Sequence, residues 1–307
     1  MLVLSADKVT KTYSEKPLLQ EVSLIIDEKD KIGVIGVNGV GKSTLLKILA
    51  GTETSDSGTV IKPGGITVGY LPQNPEFKSG ATVLEQVFLG LSAQDKEAKT
   101  FEAKSILTRL GLDEFEKEVT LLSGGQKKRV AMASALVHPC DVLILDEPTN
   151  HLDNEMIGWL EGYLKKFKGA LLMITHDRYF LDRVTNRIVE IENGKIYSYQ
   201  TNYSGYLALK SEREEMTVGT ERKRQSMIKK ELEWIHQGPK ARGTKSKYRI
   251  NRLHDMQEAE AAMPIQSLEM GSMASRLGRK TVELCGVGKV YGEQTLIRNF
   301  SMMLHRN

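Results

Sequence analysis

The chain has 307 residues, 40% hydrophobic and 27% charged, which is ordinary composition for a water-soluble globular protein of about two domains. No apolar run approaches the roughly 18–20 residues that cross a bilayer, and the start MLVLSADKVTKTYSEK is no secretion signal. Cys140 and Cys285 match no metal spacing or disulfide framework, so a reducing, cytoplasmic setting is expected. The net charge of +4 is unevenly placed: residues 222–252 hold eleven Lys/Arg and two Glu, a local +9 that leaves about −5 elsewhere. Such asymmetry points to a polyanionic partner.

Residues 1–200 alternate β-like runs with helical patterns. KIGVIG (31–36) reads as a buried strand ending in glycine, and KSTLLKILAG (42–51) as a helix with a glycine stop. ITVGYL (66–71) is a strand and SGGQKKRVAMASALV (123–137) a helix. VLILD (142–146) and ALLMIT (170–175) are apolar throughout and suit strands buried on both faces. NRIVEIENGKIYSY (186–199) reads as a hairpin turning at Asn193-Gly194. This alternation predicts an α/β fold on a mainly parallel sheet.

From about residue 202 to 262 charges multiply and apolar residues such as Ile228, Leu232 and Ile235 keep helical spacing. Gly238-Pro239 interrupts the run, so two antiparallel helices joined by the basic tip GPKARGTKS are expected, each covering the other's apolar stripe. The last segment repeats the first. VELCGVGKVYGEQTLIRNFSMML (282–304) aligns without gaps on LSADKVTKTYSEKPLLQEVSLII (4–26), with Val9, Lys11, Tyr13, Glu15, Leu18 and Ser23 recurring 278 positions later. The reading is a domain over 1–200, a basic helical linker over 201–280, and over 281–307 the start of a second copy, truncated before its own phosphate loop.

GVNGVGKS (36–43) is a complete P-loop between a strand and a helix. Its glycines let backbone N–H groups wrap phosphates, and the helix N-terminus adds free donors. Gly36, Asn38, Gly39, Gly41, Lys42, Ser43 and Thr44 are the nucleotide-binding candidates. Lys42 suits the β/γ-phosphates and Ser43 a magnesium ion. VLILDE ends with Asp146 placed for Mg²⁺ and Glu147 placed to deprotonate an attacking water. Taken alone, a strand ending in Asp-Glu also fits a strand meeting solvent.

LSGGQ (122–126), about 20 residues before that strand, resembles the signature of ABC ATPases. Gln73 in YLPQ resembles their Q-loop, which implies a part in catalysis and in Mg²⁺ binding. Asp153 in NHLD resembles the D-loop, His176 in ITHD the switch histidine, and Tyr13 the aromatic that stacks on adenine. Each has a plainer reading: Ser123 as a helix cap, Gln73 as a loop residue, His176 as structural, Tyr13 as packing. Their order and spacing together favour the ABC ATPase resemblance, which covers residues 1–200. It implies that Ser123, Gly124, Gly125 and Gln126 cap nucleotide held by an opposing domain, so that ATP joins two domains and its hydrolysis parts them. A second ABC domain or a head-to-tail second copy is the implied partner.

NHLD followed by THDRYFLD, and ELEWIHQGPKARGTKSKYRINRL (231–253), resemble the ABC-F family in its Uup and EttA branch. The spacing between Gln73 and Ser123 leaves no room for the long arm of EttA proteins, so Uup is the nearer match. The resemblance implies a cytoplasmic tandem ATPase that binds the ribosome, its linker touching tRNA and ribosomal RNA. Lys240, Arg242, Lys245, Lys247 and Arg249 are the RNA-binding candidates, because clustered cations supply sequence-independent affinity for phosphates. A solvated charged face is the plain alternative. A transporter ATPase subunit, a DNA-associated ABC ATPase and a non-catalytic RNA binder are the rival functions.

Overall fold

The computed structural model describes residues 1–13, 17–236, 280–291 and 294–305. Its elements run β1 (Leu2–Thr12), β2 (Pro17–Asp27), β3 (Lys31–Ile35), α1 (Lys42–Ala50), β4 (Ser57–Ile61) and β5 (Val68–Leu71). Then come α2 (Val83–Val87), α3 (Ala93–Arg109), α4 (Gly124–Val137), β6 (Val142–Asp146), α5 (Asn154–Lys166), β7 (Ala170–Ile174) and α6 (Arg178–Val184). The hairpin β8 (Arg187–Glu192) and β9 (Lys195–Tyr199) precedes the long helix α7 (Tyr203–His236), and β10 (Lys280–Tyr291) and β11 (Gln294–His305) close the described chain. The chain divides into two units, Met1–Ser226 and Met227–Asn307.

In the first unit six strands form one sheet in the order β5-β6-β7-β3-β8-β9, parallel throughout except for the last pair. Alternate residues feed two separate cores. Val142 and Ile144 of β6, with Ala170, Leu172 and Ile174 of β7, face Leu45, Leu46 and Leu49 of α1. Leu143 and Leu145, with Leu171 and Met173, face α4, α5 and α6. The two apolar runs are therefore strands covered on both sides, as their composition predicts. A second, antiparallel sheet in the order β2-β1-β4 joins the α1 side of the core. The sequence reading did not anticipate it.

β10 and β11 reproduce β1 and β2 residue for residue. Lys8 and Glu21 have φ of 47° and 46°, and their counterparts Gly286 and Asn299 have φ of 59° and 49°. The Lys8 N–H donates to the Ser23 hydroxyl at 2.9 Å, and the Gly286 N–H donates to the Ser301 hydroxyl at 2.9 Å. The pair Val9–Val22 recurs as Val287–Phe300 and Lys11–Leu19 as Lys289–Ile297. The copies differ in burial: Val9, Leu19 and Val22 are core residues, whereas Val287, Ile297 and Phe300 are exposed by 38%, 42% and 45%.

The start of α7 is fastened to β8 and β9 by a buried charge. Glu190 is 3% exposed and accepts from the Tyr206 hydroxyl at 2.8 Å and from Lys210 Nζ at 2.5 Å. The Arg213 guanidinium lies 3.2 Å from Glu190, donates to Glu192 at 2.7 Å and stacks 4.0 Å above the Tyr197 ring. Burial, helped by Glu190, pushes the Tyr206 phenol far up. Removing one partner of a buried ion pair leaves the others uncompensated. Glu190→Ala should therefore destabilise the first unit by about 3 kcal/mol. Urea unfolding followed by circular dichroism measures this, and a loss below about 1 kcal/mol, the range of surface pairs, would count the network as ornamental.

Candidate functional site

Residues 36–41 turn the chain from β3 into α1 using backbone that only glycine enters freely. Gly36, Gly39 and Gly41 have φ of 151°, 80° and 105°. A Cβ on Gly36 would lie 2.6 Å from the Ile191 carbonyl oxygen. α1 begins at Lys42 with no side-chain cap and no acidic residue in its first turn, so its free N–H groups and dipole open onto the loop. Lys42 Nζ folds back to donate to the carbonyls of Gly36 at 2.8 Å and Val37 at 3.0 Å. Partial burial lowers the Lys42 pKa, against the opposing pull of Glu147 and Asp146.

Strand register sets what faces this loop. Ile174 at the end of β7 pairs with Val34 of β3 on one side and with Asp146 of β6 on the other. The loop after β3, the switch segment after β7 and the carboxylates ending β6 thus leave the sheet along one row, at the carboxyl ends of parallel strands where such folds bind ligands. Asp146 is 3% exposed, and neither of its oxygens has a hydrogen-bond partner among the described residues. Burial raises its pKa, and the neighbouring Ser43 hydroxyl and Lys47, Lys42 and Lys128 oppose the shift. Glu147 sits at φ 55°, with its N–H on the Ile174 carbonyl at 2.9 Å. Its side chain is 7% exposed, Oε2 has no partner, and Oε1 lies 3.4 Å from Nε2 of the largely exposed His176. Burial raises the Glu147 pKa too, with His176 opposing and Asp146 reinforcing. Among the described residues no three His, Cys, Asp or Glu side chains form a metal cage. Magnesium needs only one or two carboxylates beside phosphate oxygens and water, so the orphaned Asp146 next to Ser43 fits it.

The remaining predicted residues lie around this row with differing degrees of engagement. Gln73 is exposed on the loop leaving β5, whose Leu71 pairs with Leu145 one residue before Asp146. Asn38 is exposed on the phosphate loop. Thr44 lies beside the Tyr13 hydroxyl, and the Tyr13 ring is 63% exposed. Ser123 is the N-cap of α4 in a reciprocal box: Gln126 N–H donates to Ser123 Oγ at 3.3 Å and Ser123 N–H to Gln126 Oε1 at 3.0 Å. The plain cap reading of Ser123 therefore holds, and Gly124 still opens onto free space. Asp153 caps α5 through the Met156 N–H at 2.9 Å. Lys240, Arg242, Lys245, Lys247 and Arg249, with the second linker helix, lie outside the described residues.

Two features escaped the sequence reading. The Thr149 and Thr175 hydroxyls meet at 2.6 Å and tie the loop after Glu147 to the strand end before His176. His151, at φ 67°, lies over Gly125, and a Cβ placed on that glycine would be 3.5 Å from the His151 Cβ. Two threonines 26 residues apart carry no local signal, although each adjoins a residue the motifs single out.

Residues 19–150 match a family model described as ABC transporter, and residues 189–270 match a second with the same description. The chain is 41% identical to the uncharacterized ABC transporter ATP-binding protein YfmR of Bacillus subtilis, aligned over 99% of this chain and 54% of that protein. It is 36% identical to the energy-dependent translational throttle protein EttA of Mycobacterium tuberculosis, over 98% of this chain and 61% of that one. The chain thus spans a little over half the length of these curated relatives. Among solved structures, the bacterial ABC transporter cassette MJ0796, a dimer, superposes with a TM-score of 0.57 at 26% identity over 64% of this chain and 98% of its own.

The two raised carboxyl pKa values have a consequence for stability. A carboxyl whose pKa is higher folded than unfolded binds its proton more tightly in the fold. Its penalty is absent below the ordinary carboxylate range, grows as pH rises through that range, and persists at neutral pH. Asp146→Asn should accordingly raise the melting temperature at neutral pH, with an advantage that shrinks toward about pH 4. Thermal melts across that range check this; an unchanged or lowered melting temperature at neutral pH would contradict the burial cost.

Proposed function

We propose, for a chain whose N-terminal unit is an ABC-type ATP-binding domain, that the protein is an ABC-F ATPase acting as a nucleotide-gated factor on the ribosome, in translation or in ribosome protection. The observation that carries the ATPase reading is the single row through Val34, Ile174 and Asp146, which faces the phosphate loop with two buried carboxylates. ATP phosphates are held by backbone N–H groups of residues 36–43, by Lys42 and by the uncapped start of α1. Ser43, Gln73 and Asp146 are the residues that would hold Mg²⁺, which when bound neutralises charge between the phosphates. Glu147 is the base: its raised pKa makes it a better proton acceptor, and its unpartnered Oε2 is available to the attacking water. His176 Nε2, 3.4 Å from the other oxygen, is near enough to orient the carboxylate. Tyr13 receives the adenine.

Ser123, Gly124, Gly125 and Gln126 serve the opposing site. The sequence contains one LSGGQ, so the cap over its own nucleotide comes from a second ABC domain or from a head-to-tail second copy. The ribosomal reading rests on the EttA relatives and on the basic tip with Lys240, Arg242, Lys245, Lys247 and Arg249, whose chemistry fits rRNA and tRNA phosphates. The second reading, an ATPase subunit of a transporter, is favoured by the description of the matching family model. In that reading the membrane-spanning part lies outside the described residues, among which no helix is long and apolar enough to cross a membrane.

Glu147→Gln should keep ATP binding and lose most turnover, and with ATP it should co-sediment with ribosomes. Lys42→Ala should lose nucleotide affinity. A Glu147→Gln variant with parental turnover removes the base assignment, and one that stays in the supernatant removes the ribosomal reading. Replacing Lys240, Arg242, Lys245 and Lys247 by Ala should flatten the salt dependence of ribosome binding, since fewer counterions are released. Specific ATPase activity of the 307-residue chain should rise with protein concentration, because a second copy must lend its signature. Concentration-independent turnover equal to that of a tandem homologue would mean that one domain suffices.

A further inference from the structure

Tyr13 is more firmly held than a solvent-exposed aromatic needs to be. Its ring is 63% exposed, yet its hydroxyl donates to the Glu53 carboxylate, which pushes the phenol pKa up. Beneath the ring lies Lys11, with Nζ 5.4 Å from the ring centroid. That ammonium is itself pinned. It donates to the Thr54 carbonyl at 2.8 Å and to Asp56 at 3.2 Å, and lies 3.5 Å from Glu53, with its side chain only 12% exposed. Asp56 also accepts the Thr12 N–H at 2.7 Å, which fixes the backbone just before Tyr13. Thr44, two residues after Lys42, lies beside the Tyr13 hydroxyl, so the ring stands next to the phosphate loop.

This arrangement treats the two faces of the ring differently. One carries a cation, attracted by the negative face of the phenol. Among the described residues Lys11 is the one cation placed over the ring, and the residue's 63% exposure leaves room for a flat ligand to stack. A hydroxyl tied to a carboxylate cannot swing away, so less side-chain freedom is lost when a ligand stacks on the ring.

We propose that Lys11 and Glu53 are positioning residues that hold Tyr13 as a one-sided platform for the planar base of a nucleoside triphosphate whose phosphates lie on residues 36–43. The inference rests on the nucleotide reading above and adds to it the residues that set affinity for the base as distinct from the phosphates. Neither touches the nucleotide. Lys11 works from behind the ring, and Glu53 works through the hydroxyl.

The test separates base from phosphate. Binding of ATP and of inorganic tripolyphosphate, each with Mg²⁺, is measured by calorimetry on the 307-residue chain and on Lys11→Met, Lys11→Arg, Glu53→Gln and Tyr13→Phe. Lys11→Met and Glu53→Gln should lose about five- to ten-fold in ATP affinity, the low end of what a base–aromatic stack contributes. Their affinity for tripolyphosphate should stay unchanged, which also reports a folded phosphate loop. Lys11→Arg keeps the cation and should restore ATP affinity. Tyr13→Phe removes one oxygen; a partial loss for ATP alone is expected, and it decides the matter should Lys11→Met fail to fold. Parental ATP affinity in Lys11→Met and Glu53→Gln, or in Tyr13→Phe, overturns the inference. So does a parallel fall for tripolyphosphate, which would make the cluster a support of the loop. A parent chain that binds tripolyphosphate as tightly as ATP overturns the platform and leaves the phosphate site standing, whereas one that binds neither overturns both.

Discussion

β6 ends in two adjacent carboxylates that the fold has taken out of water. Asp146 is sealed between the strand ends with neither oxygen bonded, and Glu147 keeps one oxygen unpartnered with only His176 near the other. Such groups are unfavourable without a counter-charge, and the surroundings arrange relief at a distance: Lys42 across the loop, Ser43 in the first turn of α1, and α1 itself with its positive end turned toward the same space. A ligand bearing both negative phosphates and a divalent cation matches this arrangement, because each of its charges finds an opposite waiting. The backbone at Glu147, at φ 55°, costs on the order of 1–3 kcal/mol and is held by the Ile174 carbonyl. Strain and buried charge therefore fall on one residue, the one assigned as the base.

Much of this was legible in the sequence because glycine and charge leave local marks. The φ values of Gly36, Gly39 and Gly41 are those the P-loop pattern requires, and the all-apolar runs 142–146 and 170–175 became strands covered on both sides. The hairpin at Asn193-Gly194 turned as its dipeptide dictates, with φ of 50° and 74°. Features made by contact between distant segments were illegible. The antiparallel sheet β2-β1-β4 depends on Ser57–Ile61 returning to β1 across a bulged register that no periodicity announces. The Lys11, Glu53 and Tyr13 group, the Thr149–Thr175 bond and the Glu190 network likewise join residues whose types are unremarkable until the fold brings them together.

The repeated hairpin shows how far a local pattern can go alone. The bulges at Lys8 and Gly286, the paired residues and the Ser23 and Ser301 hydroxyl contacts are reproduced although the two copies differ at most positions. Backbone form here is fixed within the ribbon. Burial of its apolar face is a separate matter, decided by α1 and the neighbouring strands in the first unit.

The place of β3 in the sheet has a consequence in time. KIGVI is made early, yet its neighbours on both sides, β7 and β8, begin at residues 170 and 187. At about 5–20 residues per second of synthesis, the strand that carries the phosphate loop waits on the order of 7–30 s for its first ladder partner. β1, β2 and α1 are available throughout that interval and can shelter the Ile32 and Val34 side, but the backbone edges stay unpaired. The nascent chain thus carries a short apolar strand open to mispairing until its seventh and eighth strands emerge. The loop and the two carboxylates come together only when nearly the whole first unit has been made.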